Sequence, residues 1–254
     1  MGVTILGPSK GKVVIYGVGL RGLQKPRKPL YMGNSGTAMR LMAGILSAQR
    51  FNSTLIGDES LTNRPMQRIS EPLAEFGANL ILKNDNFPPL QINASELSGI
   101  NYKMKIASAQ VKSCLLLAGI YAKGVTKIIE PVTCRDHTER MLDGFGYPVV
   151  RNESGEITIT GEGLLSGIDI KVPGDISSAA FFMVAAAISG ESEINLLQVG
   201  LNPTRTGIIS LLNLMNANLE ISNEKIIGGE PIGAVSYTHL RAHETSLHLV
   251  CRLL

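Results

Sequence analysis

The chain has 254 residues, 44% hydrophobic and 18% charged, enough for one large domain or two modest ones. A formal net charge of +3, no tryptophan and 5% aromatic residues point away from a nucleic-acid partner, a membrane surface or a base-stacking platform. No uninterrupted apolar run approaches the ~20 residues that span a bilayer, the N-terminus has no charged-then-apolar leader pattern, and three cysteines without paired spacing suit a reducing cytoplasm.

In chain order, Met1-Gly2-Val3-Thr4-Ile5 has the form of a turn running into a strand, and Lys12–Gly17 is a second β-rich run. Between them, Gly7-Pro8-Ser9-Lys10-Gly11-Lys12 imitates a phosphate loop. It is one residue short and lacks a Ser or Thr after the lysine, so a turn before a strand is expected. Met32 to Arg40 is the most informative stretch: Asn34 or Ser35 can cap a helix, and an apolar run follows from Leu41. A helix N-terminus presents unpaired N–H groups and partial positive charge, Gly36 admits a close ligand, and Arg40 adds a full charge. Chemically this is a seat for a small carboxylate or phosphate.

Ser53–Ile56 reads as a strand, and residues 64–81 read as an arginine, an amphipathic helix, a small-residue turn and the strand Leu80–Lys83. Ser108-Ala109-Gln110 opens a second apolar helix that closes at Ala118–Tyr121, with Cys114 on it as a core residue. After the strand Gly124–Glu130, Arg135-Asp136-His137-Thr138-Glu139 begins another helix. Asp136 is expected to cap it with Glu139 reaching back, and His137 to pair at the surface rather than to catalyse. Ile157–Ile159 and Ile168–Val172 read as strands, Val172-Pro173-Gly174-Asp175 as a turn feeding a capped helix, and Glu191–Leu197 as a strand.

These elements repeat. Phe76, Phe145 and Met215 stand 69 and 70 residues apart, and Arg64, Arg135 and Arg205 stand 71 and 70 apart. The apolar helices closing at Ala43–Leu46, Ala118–Tyr121 and Ala186–Ser189 are spaced by 75 and 68. The fold class is therefore α/β (α+β), built from β-α-β-α-β units of about 70 residues. Helices that repeat in this way point the same direction, so their N-termini and arginines are expected to form one anion-binding floor.

Val235 to Thr245 matches the translation of a transposase-type sequencing adapter, and Leu249–Leu254 matches its continuation. Residues 235–254 are therefore expected to be non-native and to pack against nothing specific, and both ends of the chain are expected to be cut. His239, His243, Glu244, His248 and Cys251 imitate a metal cluster but are set aside with that stretch. No metal spacing and no Ser–His–Asp set remains.

Six phrases now carry a resemblance: GNSGTAMR (33–40), LTNRPM (61–66), SAQVKS (108–113), CRDHTERM (134–141), VPGDISSAAF (172–181) and NPTRTG (202–207). Together, in order and spacing over residues 1–234, they resemble 5-enolpyruvylshikimate-3-phosphate synthase, in its bacterial class II form. That resemblance implies two lobes of repeated units with parallel helices inside, residues 1–201 forming the first lobe without its N-terminal part and 202–234 the start of the second. It implies transfer of the enolpyruvyl group of phosphoenolpyruvate to the 5-hydroxyl of shikimate 3-phosphate with release of phosphate, no cofactor, a cytoplasmic location and a monomer when full length. Phosphoenolpyruvate would be bound by Gly36, Arg64 and Gln110, shikimate 3-phosphate by Ser108, Ala109 and Arg135, with Asn34, Thr37 and Arg40 in support. The lysine-bearing segment of the family would precede Met1 and its proton-transfer residues would follow Ala234, so no catalytic residue is expected here and the chain alone is expected to be inactive.

Two alternatives stand beside it. The related transferase acting on UDP-N-acetylglucosamine uses a flexible-loop cysteine, which neither Cys114 nor Cys134 matches in context. A noncatalytic anion-binding module would need the incomplete first repeat to be complete as it stands.

Overall fold

The computed structural model describes residues 1–190, 192–217 and 219–238. The contacts divide the chain into two compact units. The first holds Met1–Cys134 and Gly146–Ser166, and the second holds Arg135–Phe145 and the described residues from Gly167 onward.

The first unit begins with an antiparallel hairpin, β1 (Thr4–Ser9) and β2 (Lys12–Tyr16). Its turn residues Lys10 and Gly11 have φ of 48° and 75°, so the loop-like sequence is a hairpin turn of the kind in which both central residues are left-handed. There follow β3 (Leu30–Tyr31), α1 (Gly36–Leu46), β4 (Ser53–Ile56), α2 (Glu59–Thr62), α3 (Gln67–Glu75), β5 (Asn79–Lys83) and β6 (Phe87–Asn93). The strands form one sheet in the order β3-β4-β6-β5, parallel only between β3 and β4. The chain then runs through β7 (Asn101–Lys103), α4 (Ala109–Gly119), β8 (Val125–Ile129), α5 (His137–Gly144), β9 (Val149–Arg151) and β10 (Glu156–Thr160). The second sheet has the order β7-β8-β10-β9, again parallel only in its first pair. Identical strand order in the two sheets makes the sequence repeat a topological repeat, with α5 alone assigned to the other unit.

The repeat has one strand more than the sequence pattern gave. β6 was not expected because Pro88 and Pro89 interrupt its apolar pattern, yet Leu90 and Ile92 alternate inward and are fully buried. The short α2 was not expected either. Between α1 and the other apolar helix of this unit, α4, the backbones almost touch: a Cβ built on Gly44 would lie 2.3 Å from the Cys114 carbonyl oxygen. Met39, Ala43, Leu46, Leu115 and Leu116 are completely buried, and a fully buried side chain of the Leu or Met kind contributes about 1.5–3 kcal/mol. Lys112 is also fully buried. It pairs with Glu130 at 2.9 Å, and Arg151 reaches the other oxygen of the same carboxylate at 3.2 Å.

The second unit contains α5 together with α6 (Ile176–Ile188), β11 (Glu193–Gly200), α7 (Gly207–Leu214), β12 (Leu219–Ile227) and β13 (Glu230–Thr238). Its antiparallel sheet has the order β11-β13-β12, and an isolated parallel bridge from Gly174 to Val199 stands where the other repeats have their first strand. Ile168–Val172 is therefore not a strand: the ladder has shrunk to that bridge. Glu191, expected to open β11, lies outside the described residues.

The break placed between Leu201 and Asn202 falls inside the second unit, because Ile176 and Met183 of α6 share one core with Ile209 and Leu212 of α7 and with Val235 and Tyr237 of β13. The stretch from 235 onward was expected to pack against nothing, yet β13 continues to Thr238 with Val235 and Tyr237 buried. Extending a strand asks only for inward and outward alternation, and Val-Ser-Tyr-Thr supplies it. Residues 239–254, with the histidines and Cys251 of the adapter-like stretch, lie outside the described residues.

Candidate functional site

The seat forms in the first unit where α1 and α4 begin. Ser35 caps α1, its hydroxyl accepting from Ala38 N–H at 3.0 Å, and Ser108 caps α4, accepting from Val111 N–H at 3.4 Å. The helices run parallel with their starts together. Arg40 Nη1 donates to Gln110 Oε1 at 2.6 Å, and Gln110 Nε2 donates to Thr37 Oγ1 at 2.7 Å. The Arg40–Gln110 and Gly44–Cys114 contacts are each 70 residues apart, one repeat.

Arg40 is a buried cation, 6% exposed, whose Nη2 donates to the Pro65 carbonyl at 3.1 Å. Burial weakens its hold on its proton, and the nearby Arg68 and Arg64 weaken it further. Its Nε is buried without a hydrogen-bond partner. Arg64 donates from Nη1 to the Asn34 carbonyl at 3.2 Å, and from Nη2 to Asn34 Oδ1 and, at 3.2 Å, to Ser60 Oγ. Among the described residues, neither Arg40, Arg64 nor Arg68 forms an ion pair with a carboxylate. Gly36 lies beneath two of these guanidiniums: a Cβ there would stand 3.0 Å from Arg40 Nη1 and 3.4 Å from Arg64 Nη1.

The structure thus brings together Asn34, Gly36, Thr37, Arg40, Arg64, Ser108, Ala109 and Gln110. Arg135, exposed, opens the α5 segment, which belongs to the second unit. Arg205, expected to add to one anion-binding floor, is neutralised instead: its Nη2 meets Asp175 Oδ1 at 3.0 Å and also donates to Ser177 Oγ. Asp175 itself caps α6 as expected, accepting from Ser177 N–H at 3.2 Å.

Asp136 stands at the cap position of α5 but makes no capping hydrogen bond. Its carboxylate is taken up by Arg140 Nε at 2.9 Å and by Asn202 Nδ2 at 2.7 Å, which is why the expected Asp136 cap fails. The buried Asn202 also donates to Glu230 Oε2 at 3.2 Å, and Glu230 Oε1 pairs with His137 Nδ1 at 2.6 Å. The surface pairing expected of His137 is therefore with Glu230. Cys114 is buried, and burial pushes its thiol up to about 12, far from a reactive thiolate. No three His, Cys, Asp or Glu side chains gather as a metal site among the described residues.

Sequence reasoning missed Asp58 and Ser60. Asp58 Oδ1 caps α2 through Leu61 N–H at 2.8 Å, and Oδ2 accepts from Asn34 Nδ2 at 2.8 Å. The signal was an aspartate before a four-residue helix too short to show periodicity.

Comparison with known proteins gives the chain its family. The family EPSP synthase (3-phosphoshikimate 1-carboxyvinyltransferase) matches residues 1–244. The 3-phosphoshikimate 1-carboxyvinyltransferase of Hydrogenovibrio crunogenus is 56% identical over 240 residues, which are 92% of this chain and 54% of that protein. The one from Methylococcus capsulatus is 52% identical over 98% of this chain and 58% of its own length. The solved EPSP synthase of Acinetobacter baumannii superposes with a TM-score of 0.87 at 52% identity, over 94% of this chain and 54% of that one. The chain spans about half the length of the curated relatives it matches. By the match over residues 1–244 and the identity of these relatives, the chain belongs to the EPSP synthase family.

Proposed function

We propose that the chain supplies the anion-binding floor of a 3-phosphoshikimate 1-carboxyvinyltransferase, an enzyme of aromatic amino acid biosynthesis. The observation that carries this is Arg40 and Arg64 gathered at two helix starts with, among the described residues, no carboxylate to neutralise them. An uncompensated buried cation is costly unless an anion comes to it, and a ligand with carboxylate and phosphate groups meets that need.

In this function Gly36, Arg64 and Gln110 hold phosphoenolpyruvate, and Ser108, Ala109 and Arg135 hold shikimate 3-phosphate. Ser108 accepts its capping bond with an oxygen lone pair, leaving the hydroxyl hydrogen to donate to a phosphate oxygen. Asn34, Thr37 and Arg40 keep the seat in shape. In the reaction the 5-hydroxyl oxygen of shikimate 3-phosphate gives up its proton as it bonds to the central carbon of phosphoenolpyruvate, whose methylene carbon takes a proton. The tetrahedral adduct then loses phosphate and a methyl proton to restore the enol ether. The residues named here bind and align the two reactants, which converts a bimolecular step into an oriented one. None of them is assigned the proton transfers. The full-length enzyme acts as a cytoplasmic monomer on these two small molecules, with no nucleic-acid partner.

Calorimetric titration of the chain with phosphoenolpyruvate and with shikimate 3-phosphate tests this. Binding of phosphoenolpyruvate that inorganic phosphate displaces is expected, whereas no uptake of either ligand at millimolar concentration overturns it.

A further inference from the structure

We propose that Asp58 is a positioning residue of the anion seat: it orients the Asn34 amide so that Arg64 is aimed by a neutral oxygen instead of being paired by a carboxylate. An ionised carboxylate only accepts hydrogen bonds, so the Asn34 face that meets Asp58 Oδ2 at 2.8 Å must be its NH2. The amide oxygen is then turned to the opposite side, where it receives Arg64 Nη2. The backbone closes the same loop, with Asp58 N–H donating to the Gly33 carbonyl at 2.9 Å and Arg64 Nη1 donating to the Asn34 carbonyl at 3.2 Å. Ser60 Oγ completes the collar at 3.2 Å.

Asp58 stays ionised in this arrangement, its carboxyl held below the ordinary range first by the Leu61 N–H and then by the Asn34 amide. The negative charge is kept one side chain away from Arg64. The guanidinium is restrained on three neutral oxygens, and its charge stays available to a ligand. Arg205 shows the alternative, in direct contact with Asp175.

The inference rests on the proposed anion seat for its functional meaning, so its test has two readouts. Asp58→Asn keeps a good helix cap, since Asn and Asp cap equally well, but it confronts the Asn34 NH2 with a second NH2 and turns the Asn34 amide over. The first readout is nitrogen NMR of the Arg64 guanidinium and the Asn34 side-chain amide in the 254-residue chain. The Asn34 resonances are expected to move and Arg64 Nη rotation to speed up in Asp58→Asn, while Asp58→Asn added to Asn34→Ala changes Arg64 no further. The second is phosphoenolpyruvate titration, in which Asp58→Asn weakens binding about tenfold with Asn34 present and negligibly with Asn34→Ala. An unaltered Arg64 signal in Asp58→Asn, or effects of the two substitutions that simply add, overturns the proposal. If phosphoenolpyruvate does not bind the unsubstituted chain while the NMR coupling holds, the functional assignment of the seat fails and the positioning role of Asp58 stands.

Discussion

Arg205 lies on the Asp175 carboxylate at 3.0 Å, while Arg64, at the matching place two repeats earlier, lies on the uncharged oxygens of Asn34. The same arginine thus serves as a fastener in one repeat and, in the proposed function, as an anion-facing charge in another. Arg64→Ala is expected to weaken phosphoenolpyruvate binding by the worth of a charge-assisted hydrogen bond, roughly 1.5–3 kcal/mol. Arg205→Ala should leave that affinity alone and lower stability by no more than about 1 kcal/mol, the upper end for a partly exposed pair. Parallel titration and denaturant melts of the two variants check both halves.

Gly36→Ala and Ser108→Ala should separate the two ligands. The added methyl stands 3.0 Å from Arg40 Nη1 and in ordinary contact with Arg64, so it should push the Arg40 guanidinium and weaken phosphoenolpyruvate while sparing shikimate 3-phosphate. Loss of the Ser108 hydroxyl should fall mainly on shikimate 3-phosphate, by roughly 0.5–1.5 kcal/mol, together with a small loss of helix capping. Kinetic constants for both substrates in a restored full-length enzyme, with calorimetry for shikimate 3-phosphate, give the readout. Equal loss of both ligands in both variants would show the changes acting through the fold.

Asn202→Ala removes the amide that bridges Asp136 and Glu230. Two carboxylates then lose a buried donor, and a stability loss of roughly 1–3 kcal/mol is expected. Urea denaturation followed by circular dichroism measures it, and an unchanged midpoint would contradict the bridging role.

Acid should loosen the same cluster. Burial raises the Asp136 carboxyl, but the hydrogen bonds from Arg140 and Asn202 outweigh it and hold the group below its ordinary value of 3.8. A carboxyl depressed in the folded state stabilises the fold at every pH above its ordinary value, and that contribution disappears as pH falls through the folded value. Melting temperatures taken from pH 6 down to pH 3 should therefore fall less steeply in Asp136→Asn than in the unsubstituted chain, with the divergence confined to the region below about pH 4.

Truncation tests the adapter-like stretch. Ending the chain after Thr238 should leave the melting temperature unchanged if residues 239–254 are foreign. Ending it after Ala234 also removes Val235 and Tyr237 from the second core and should destabilise that unit. Differential scanning calorimetry of the two truncations decides, and a loss in the first would show that the distal stretch belongs to the fold.

Much of this was legible because the repeat is written in residues with narrow roles. Arginine before a helix and a serine cap before an apolar run fix where helices start, so Ser35, Ser108 and Asp175 were found as caps or cap candidates. What escaped depended on partners far away in the chain. Asp136 reads as a cap until Asn202 claims its carboxylate, Arg205 reads as an anion ligand until Asp175 covers it, and Asp58 reads as nothing until Asn34 is seen beside it. Strand β6 escaped for a local reason, two prolines in a run whose alternation still buries Leu90 and Ile92.

Gly44 sits two turns behind the seat, yet it acts as the gauge for its width. Because its missing side chain lets the α1 backbone come against the Cys114 carbonyl, the next contact toward the mouth, Arg40 to Gln110, closes at 2.6 Å. Any residue larger than glycine at 44 would wedge the back of the helix pair and spread its front, so the spacing of the ligand-facing groups is machined from behind. If the seat takes an anion as proposed, a control point for retuning it lies there, away from the ligand itself.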